Sequence, residues 1–410
     1  MTSNGPQAPN PLNPDAGRPD AGLSEAGTSG AEAGATGNAF DWRLGGEGGG
    51  RPGPNNDLSD VPGLRVGHAS RVGDGWLTGS TVVLADVDLR AAVDVRGGGA
   101  ASRETDALHP TGVVDAIQAV HLGGGSAYGL DAAGGVMREL EAADRGFRVG
   151  AAYGRVVPIV PAAALFDLGR GGDFSARPDA ELGAEAARAA LAAAAGTPVV
   201  QGSVGAGTGA ITGEMRGGIG SASVVLPGGV TVAALVVVNA DGSALDPRTG
   251  IPLGIGRELL LADGSGEFGL TAPDAAAVAR ARERLEAAAR ARPALRPLNT
   301  TLAIVATDAP LDRAQLWKLA GTSHDGIARG IRPVHTLGDG DLVFALSTAR
   351  GGWPTPDPAL LENHQRNDQV NRILTAGADV VSRAIVHAVL AATSIETPAG
   401  LLPSYRDLFA

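Results

Sequence analysis

The 410-residue chain contains no cysteine. This absence excludes disulfide bonds, zinc–thiolate sites, iron–sulfur clusters and cysteine nucleophiles together. Lysine is almost absent as well, because Lys318 is the single lysine of the sequence. Lys318 follows Leu316 and Trp317 instead of a glycine loop, which excludes the phosphate-binding loop of P-loop NTPases. A Schiff-base or pyridoxal enzyme would depend on this one lysine, and we therefore expect no cofactor.

Basic charge, aromatic residues and long apolar runs are also scarce. The net charge is −11 and aromatic residues make up 3% of the chain, so a nucleic-acid partner is not expected. The best apolar runs, residues 186–195 and 230–238, are too short to span a bilayer, and the N-terminus lacks a signal-peptide pattern. The seven histidines lack the spacing of zinc proteases, so no metal site is predicted. The expectation is a soluble cytoplasmic protein without a membrane partner.

Glycine is abundant, with 62 residues, and it separates short valine-rich runs. Residues 1–57 are rich in Pro, Gly, Asn, Asp and Ala, which is typical of a disordered tail. The remainder is predicted to form two parts of one domain, residues 58–299 and residues 300–410. Residues 273–298, at the end of the first part, are predicted to be a helix followed by a proline-broken linker.

Apolar periodicity predicts several strands and five helices. The predicted strands cover residues 81–85, 92–95, 199–200, 223–226, 230–238, 302–306 and 342–346. The predicted helices cover residues 130–143, 180–195, 274–291, 313–329 and 367–392. Strands and helices do not alternate as simple βαβ units, which favours an α/β layered sandwich over a doubly wound sheet.

The bond between Asn299 and Thr300 is the first candidate site. It lies where the predicted linker runs directly into the apolar run 302–306, a plausible place for chain processing. A threonine hydroxyl becomes a useful nucleophile when the α-amino group of the same residue is free, because that amine can take the hydroxyl proton. An internal threonine therefore requires cleavage of the preceding bond. On its own, however, the Asn-Thr dipeptide is more typical of a plain strand start.

Other polar residues stand at the ends of predicted strands. Asp339 and Asp341 precede the run 342–346, and two carboxylates so close raise the pKa of one of them. His335 is near this pair as a structural or supporting residue. Asn239 ends the run 230–238, where its amide could donate to an oxyanion. Each of these residues also fits an ordinary turn.

Two glycine-rich stretches complete the candidates. Tyr128 follows glycines 123–125, which allow a side chain or the backbone to approach a substrate closely. Residues 205–210 match the loose dinucleotide-binding pattern, although neither a clear strand before them nor a clear helix after them supports it.

Taken in order, these segments resemble the self-processing L-aminopeptidase/D-esterase family of N-terminal-nucleophile amidohydrolases, over about Asp60 to Ser394. The segments are residues 60–68, 94–98, 124–130, 205–210, 238–239 and 299–301. The chain is most similar to the branch with a threonine nucleophile, which includes a 6-aminohexanoate-oligomer (nylon-oligomer) endohydrolase and a pantetheine hydrolase. The stretch 330–341, with both aspartates, is similar to the nylon-oligomer enzyme.

The resemblance implies a role for each candidate residue. Thr300 matches the nucleophile, and Asn299 the last residue of the first chain. Asp339 and Asp341 match the pair that orients and tunes the nucleophile's amine. The oxyanion-side amide and the active-site tyrosine match Asn239 and Tyr128.

The resemblance also implies the fold, the assembly and the substrate class. Members form an αββα four-layer sandwich of two chains after self-cleavage, and the αβ heterodimers associate into a tetramer. The expected partner is a small amide or peptide substrate, and the aspartate pair favours endo-type cleavage, with nylon oligomers as one candidate.

One position departs from the family pattern, and several functions stay open. Members commonly carry a lysine just after the loop 205–210, where Glu214 stands here and Arg216 is a candidate substitute. The alternatives are an aminopeptidase or pantetheine-type hydrolase, an acyltransferase like the self-processing ornithine acetyltransferase, and an uncleaved protein that binds a nucleotide at residues 205–210.

Overall fold

The computed structural model describes residues 50–152, 154–261, 263–291, 299–351 and 363–409, all of which belong to one compact unit. Its strands are β1 (Leu64–Gly73), β2 (Trp76–Val95), β3 (Ala101–Arg103), β4 (Ile117–Gly123), β5 (Phe147–Arg148), β6 (Val156–Val157), β7 (Ala162–Ala164), β8 (Ile211–Thr212), β9 (Met215–Arg216), β10 (Gly218–Val225), β11 (Thr231–Asn239), β12 (Thr300–Thr307), β13 (Leu342–Ser347), β14 (Ile395–Thr397) and β15 (Gly400–Leu402). Its helices are α1 (Ala132–Ala142), α2 (Ala180–Ala192), α3 (Ala275–Ala291), α4 (Arg313–Gly330), α5 (Asn363–Ala391) and α6 (Tyr405–Phe409).

One mixed sheet of nine strands organises the described part of the chain. Its order is β10-β11-β12-β13-β2-β4-β7-β3, and β1 pairs with β2 beside this path. The long strand β2 joins two sections of the sheet, because its first half pairs with β1 and β4 and its last residues pair with β13. A register irregularity between Leu84 and Leu89 separates the two halves of β2.

Alternate side chains of the strands point into different buried clusters, as the two-residue period of a strand requires, and three of these clusters are large. Val236 of β11 packs in the cluster that contains α4 and α5. Its neighbour Val237 points the other way, into a cluster shared with Val120 of β4. On the opposite face of β2 and β4, Leu84 of β2 packs in a third cluster with Val136 of α1. The layers therefore run from helices through two sections of sheet to helices.

The α/β class predicted from the sequence is confirmed, and all five predicted helices are present with slightly different ends. The predicted strands 81–85 and 92–95 are both parts of β2, whereas residues 199–200 are not a strand. Strands β1 and β4 were not predicted from the sequence. All seven residues of β4 are buried, but Gln118 and His121 interrupt its apolar pattern.

The predicted tail and linker fall largely outside the described residues, which omit 1–49 and 292–298. Residues 50–57, also assigned to the tail, lie against β10. The backbone of Arg51 exchanges two hydrogen bonds with Val225, of 3.1 and 2.7 Å. The predicted boundary at residue 57 is therefore too late. Composition could not reveal it, because the open edge of a sheet pairs with extended backbone whatever its side chains.

Within α5, the segment Arg366–Ala391 is long and apolar enough to cross a membrane by length and composition, but it is mostly buried in the structure. It packs against β10 and β11 as the central helix of the core.

A buried ion pair joins α5 to the segment that contains Glu267. The side chains of Arg383 and Glu267 are each 1% exposed, and their closest nitrogen and oxygen are 2.7 Å apart. Arg383 also donates to the carbonyl of Ser223 at 2.8 Å and to Oδ1 of Asn56 at 2.6 Å. Burial raises the pKa of Glu267, but hydrogen bonds from His387 and Arg383 outweigh it and hold that pKa below its usual value.

Arg383→Met should lower the free energy of unfolding by about 3–5 kcal/mol, because it leaves the Glu267 carboxylate buried without its main partner. Chemical denaturation measures this effect. Arg248→Met is the control, since it removes an exposed arginine that pairs with Asp246 and should leave stability almost unchanged. Equal effects of the two substitutions would show that the buried pair is not a special support.

Candidate active site

Asn299 and Thr300 are buried at the beginning of β12, between two neighbouring strands. Thr300 lies opposite Asn239 in the antiparallel pairing of β11 with β12. Asn299 instead forms a parallel bridge with Asp339, just before β13. The peptide bond between Asn299 and Thr300 is therefore held from both sides by the sheet.

The carbonyl oxygen of Asn299 accepts two hydrogen bonds. The backbone N–H of Gly340 donates to it at 2.8 Å, and the Thr300 hydroxyl donates to it at 2.6 Å. The backbone N–H of Asn299 donates to the Gly338 carbonyl at 3.1 Å, and its side-chain amide donates to Oδ1 of Asp241 at 3.1 Å. The carbonyl is thus both fixed in position and polarised by a backbone N–H, and the Thr300 hydroxyl lies beside it.

Glycine is required where the loop before β13 approaches Thr300. A Cβ atom at Gly340 would lie 2.7 Å from Oγ1 of Thr300, closer than side chains pack. A Cβ atom at Gly97 would lie 2.2 Å from the backbone nitrogen of Asp341. The absence of a side chain at these two positions lets the loop before β13 pack closely against Thr300 on one side and against the backbone of Gly97 on the other.

Asp341 is surrounded by N–H donors. Its Oδ1 accepts from the backbone N–H of Thr301 at 2.6 Å. Its Oδ2 accepts from the backbone N–H of His335 at 3.1 Å and lies 2.8 Å from Nδ1 of the same histidine. Asp341 therefore holds the backbone directly after Thr300, and His335 supports the carboxylate.

Asp339 has a different environment from Asp341. Its Oδ2 accepts from the backbone N–H of Thr336 at 2.8 Å, whereas its Oδ1 is buried without a hydrogen-bond partner in the described part of the chain. Burial raises the pKa of Asp339, and the nearby charge of Asp341 raises it further. The two neighbouring carboxylates therefore differ in their hydrogen bonding, since Asp341 accepts N–H groups on both oxygens and Asp339 on one.

Asn239 has a fixed amide orientation. Its Oδ1 accepts from Nη1 of Arg170 and from the backbone N–H of Ile211, the latter at 3.1 Å. Its Nδ2 donates to the Phe166 carbonyl at 3.3 Å. Because two N–H donors point at Oδ1, this atom must be the amide oxygen and the other atom the amide nitrogen. Arg170 was not predicted from the sequence, because it lies far from Asn239 along the chain and no local pattern marks it.

Tyr128 lies on the 3-10 turn Ser126–Asp131 that follows β4. It is on an exposed turn, 56% exposed, and the guanidinium of Arg177 lies 3.7 Å from the centre of its ring. Within the described residues its hydroxyl makes no hydrogen bond to the other candidates. The turn itself is anchored by the backbone N–H of Gly125, which donates to the buried carboxylate of Asp167 at 2.7 Å.

The loop 205–210 uses its backbone N–H groups internally. The amides of Gly205 and Ala206 donate to Ser70 and Thr81 side chains at 2.8 and 2.9 Å. Three more amides of this loop donate to nearby carbonyl oxygens, namely those of Gly207, Thr208 and Ala210. A phosphate cradle needs N–H groups free to face the ligand, so the nucleotide-binding alternative gains no support.

Arg216, the candidate substitute for the family lysine, is buried beside this loop. It donates to the carbonyls of Thr208 at 2.7 Å and Thr393 at 3.1 Å. Burial lowers its pKa to about 10. Glu214 lies in the turn between β8 and β9. The cation that contacts Asn239 is Arg170, not Arg216.

Comparison with known proteins gives a consistent family. The model of Peptidase family S58 matches residues 56–402. An "uncharacterized aminopeptidase" of Mycobacterium tuberculosis (strain ATCC 25618 / H37Rv) is 43% identical over 364 residues, which are 86% of this chain and 98% of that protein. A 6-aminohexanoate-oligomer endohydrolase of Kocuria sp. (strain KY2) is 32% identical over 311 residues, or 72% of this chain and 76% of that protein.

Solved structures agree. A Burkholderia sp. beta-aminopeptidase matches with a TM-score of 0.60 and 27% identity, over 88% of this chain and 94% of that one. The L-aminopeptidase/D-Ala-esterase/amidase of Ochrobactrum anthropi, described as a variant of the Ntn-hydrolase fold, matches with a TM-score of 0.61 over 89% of this chain and 95% of that one. Its 21% identity makes this a likeness of fold.

His335→Ala should destabilise the protein by about 1–3 kcal/mol, because it removes a donor from the buried Asp341 carboxylate. Denaturant unfolding of both proteins measures the difference. His109→Ala is the matched control, since His109 is exposed and its imidazole hydrogen-bonds within its own turn, to Thr111. If both alanine variants unfold alike, the contact between His335 and Asp341 does not support the site.

Proposed function

The chain belongs to peptidase family S58, and from that premise we propose that it cuts its own Asn299–Thr300 bond and then uses Thr300 as an N-terminal nucleophile. As a member of this family it is a hydrolase of amide or peptide bonds. The observation that carries the proposal is the polarised carbonyl of Asn299. The Gly340 N–H lies 2.8 Å from its oxygen, with the Thr300 hydroxyl beside it.

The first reaction is an acyl shift within the chain. The Thr300 hydroxyl oxygen attacks the Asn299 carbonyl carbon, the C–N bond breaks, and the acyl group passes from nitrogen to oxygen. Asp339 is the proposed acceptor of the hydroxyl proton, since its Oδ1 has no other partner in the described residues and it is bridged to Asn299. The departing amine takes a proton, and water then splits the ester. The products are a carboxylate on Asn299 and a free amine on Thr300.

The second reaction repeats this chemistry on a substrate. The free α-amino group of Thr300 takes the hydroxyl proton because it titrates near neutrality. The hydroxyl attacks a substrate amide, the amine product leaves, and water releases the acyl group from the enzyme. Asn239, opposite Thr300 in the strand register, is the proposed side-chain donor to the oxyanion. Asp341 keeps the backbone after Thr300 in place.

The substrates are proposed to be small linear amides or peptides. The endohydrolase relative makes 6-aminohexanoate oligomers one candidate, and the aminopeptidase relatives make short peptides another. Endo-type cleavage, the role of Tyr128 and a tetramer of αβ heterodimers stay predictions of the resemblance, as does the sandwich of two chains made of residues 58–299 and 300–410. No observation favours acyl transfer to an amine over transfer to water.

Intact-mass analysis of the purified protein should find a fragment of residues 300–410 that begins with Thr300. Thr300→Ala should stay a single chain and lose amide hydrolysis, whereas Thr300→Ser keeps a hydroxyl and should cleave more slowly. Thr301→Val is the control. The Thr301 hydroxyl has no hydrogen-bond partner in the described residues, and valine has nearly the same shape as threonine. A Thr300→Ala chain that still splits at this bond would refute the proposal.

Self-cleavage should slow as the pH falls through the raised pKa of Asp339. Because burial raises that pKa, Asp339 loses its charge at a higher pH than an ordinary carboxyl and can then no longer accept the hydroxyl proton. Refolding the unprocessed chain at a series of pH values and following the two fragments gives the profile.

Asp339→Asn should cleave slowly and lack this step in the profile. Asp325→Asn, on the exposed face of α4, should keep the wild-type profile. A wild-type profile that Asp339→Asn reproduces would exclude Asp339 as the proton acceptor.

A further inference from the structure

Arg170 contacts the amide proposed to stabilise the oxyanion. Its Nη1 donates to Oδ1 of Asn239 and, at 2.6 Å, to the carbonyl of Gly209. Asn239 is 0% exposed, so this charge acts on it in a place from which water is excluded. We propose that Arg170 is a positioning residue that orients and polarises Asn239 for the hydrolytic step. The inference rests on the proposed function, in which Asn239 donates to the oxyanion.

The hydrogen bonds of Asn239 show how Arg170 would act. Donors occupy its oxygen end, from Arg170 and from Ile211, so the Nδ2 group is left as the end that can donate. That group now makes one bond, to the Phe166 carbonyl, whose 3.3 Å length is at the weak end of the normal range. An incoming oxyanion is a far stronger acceptor and can replace it. A cation on the oxygen of an amide makes its N–H groups better donors, because neighbouring hydrogen bonds strengthen one another.

The segment that carries Arg170 contacts both ends of the Asn239 amide. Phe166 supplies the carbonyl that holds Nδ2, and Arg170, four residues later, supplies the donor to Oδ1. Between them, Asp167 anchors the turn of Tyr128 through the N–H of Gly125 at 2.7 Å. The segment 166–170 therefore links Asn239 to the turn that follows β4, and its position is fixed at both ends.

The second arginine near this site has a different place. Arg216 donates to the Thr208 carbonyl at 2.7 Å, and Arg170 donates to the next carbonyl along, that of Gly209. Together they fix the loop 205–210 from its carbonyl side, but in the described structure it is Arg170 that continues to Asn239. The positive charge expected just after this loop is thus supplied from the segment after β7.

The test compares Arg170→Gln and Arg170→Lys with the wild-type enzyme in steady-state hydrolysis of a short linear amide, using fully processed protein. An oxyanion donor acts in the transition state, so Arg170→Gln should lower kcat by about tenfold or more and leave KM within about threefold. Arg170→Lys restores a cation without the planar guanidinium and should recover part of the lost kcat. Arg188→Gln, an exposed arginine on α2, is the matched control and should behave as wild type.

The outcomes separate the two proposals. Wild-type kcat in Arg170→Gln overturns the role of Arg170 while leaving the proposed function intact, provided that Thr300→Ala is inactive. A rise in KM that accounts for the whole loss, or equal losses in the Gln and Lys variants, marks a merely structural arginine and overturns it too. Hydrolysis that survives in Thr300→Ala overturns the proposed function itself. If Arg170→Gln does not fold, the kcat and KM of Arg170→Lys are compared with the wild-type values in the same way.

Discussion

Backbone hydrogen bonding at the start of β12 is the constraint on which the candidate site depends. β12 lies between an antiparallel neighbour, β11, and a parallel neighbour, β13. This arrangement sets Asn239 opposite Thr300 and Asp339 opposite Asn299. Strand register permits no partial shift, since a slip by one residue would turn every side chain to the other face. The packing of the sheet thereby fixes the Asn299–Thr300 bond relative to the groups around it.

Burial gives these polar groups their chemistry. A carboxylate in water is well solvated and a poor base, but Asp339 is 1% exposed and its Oδ1 lacks a partner in the described residues. Asp341, two residues later, is equally buried and accepts three N–H groups. Identical side chains thus have different hydrogen-bond partners in the same buried place. Such a site costs stability, and the apolar clusters on both faces of the sheet offset that cost.

The sequence predicted the parts of this arrangement that are local. Runs of valine and alanine revealed β10–β13, and the polar residues that follow or precede them, such as Asn239 and Asp341, lie at strand ends for the reason given by the pattern. The alignment of Asn239 with Thr300 could not be predicted locally, because the two are far apart along the chain. The same applies to Arg170, which reaches Asn239 from a loop, and to Arg51, which pairs with β10 through its backbone.

Cleavage at this bond would disturb the sheet little and open the site. The pairing of β12 with its neighbours from Thr301 onward does not involve Asn299. Asn299 itself is held by the Gly338 carbonyl, by Asp241 and by the Gly340 N–H. Release of Asn299 would therefore free the Gly340 N–H and the space beside the Thr300 hydroxyl, and a substrate carbonyl could occupy the position that the Asn299 carbonyl has left. One set of donors would then serve both proposed reactions, the cleavage of the chain and the hydrolysis of a substrate.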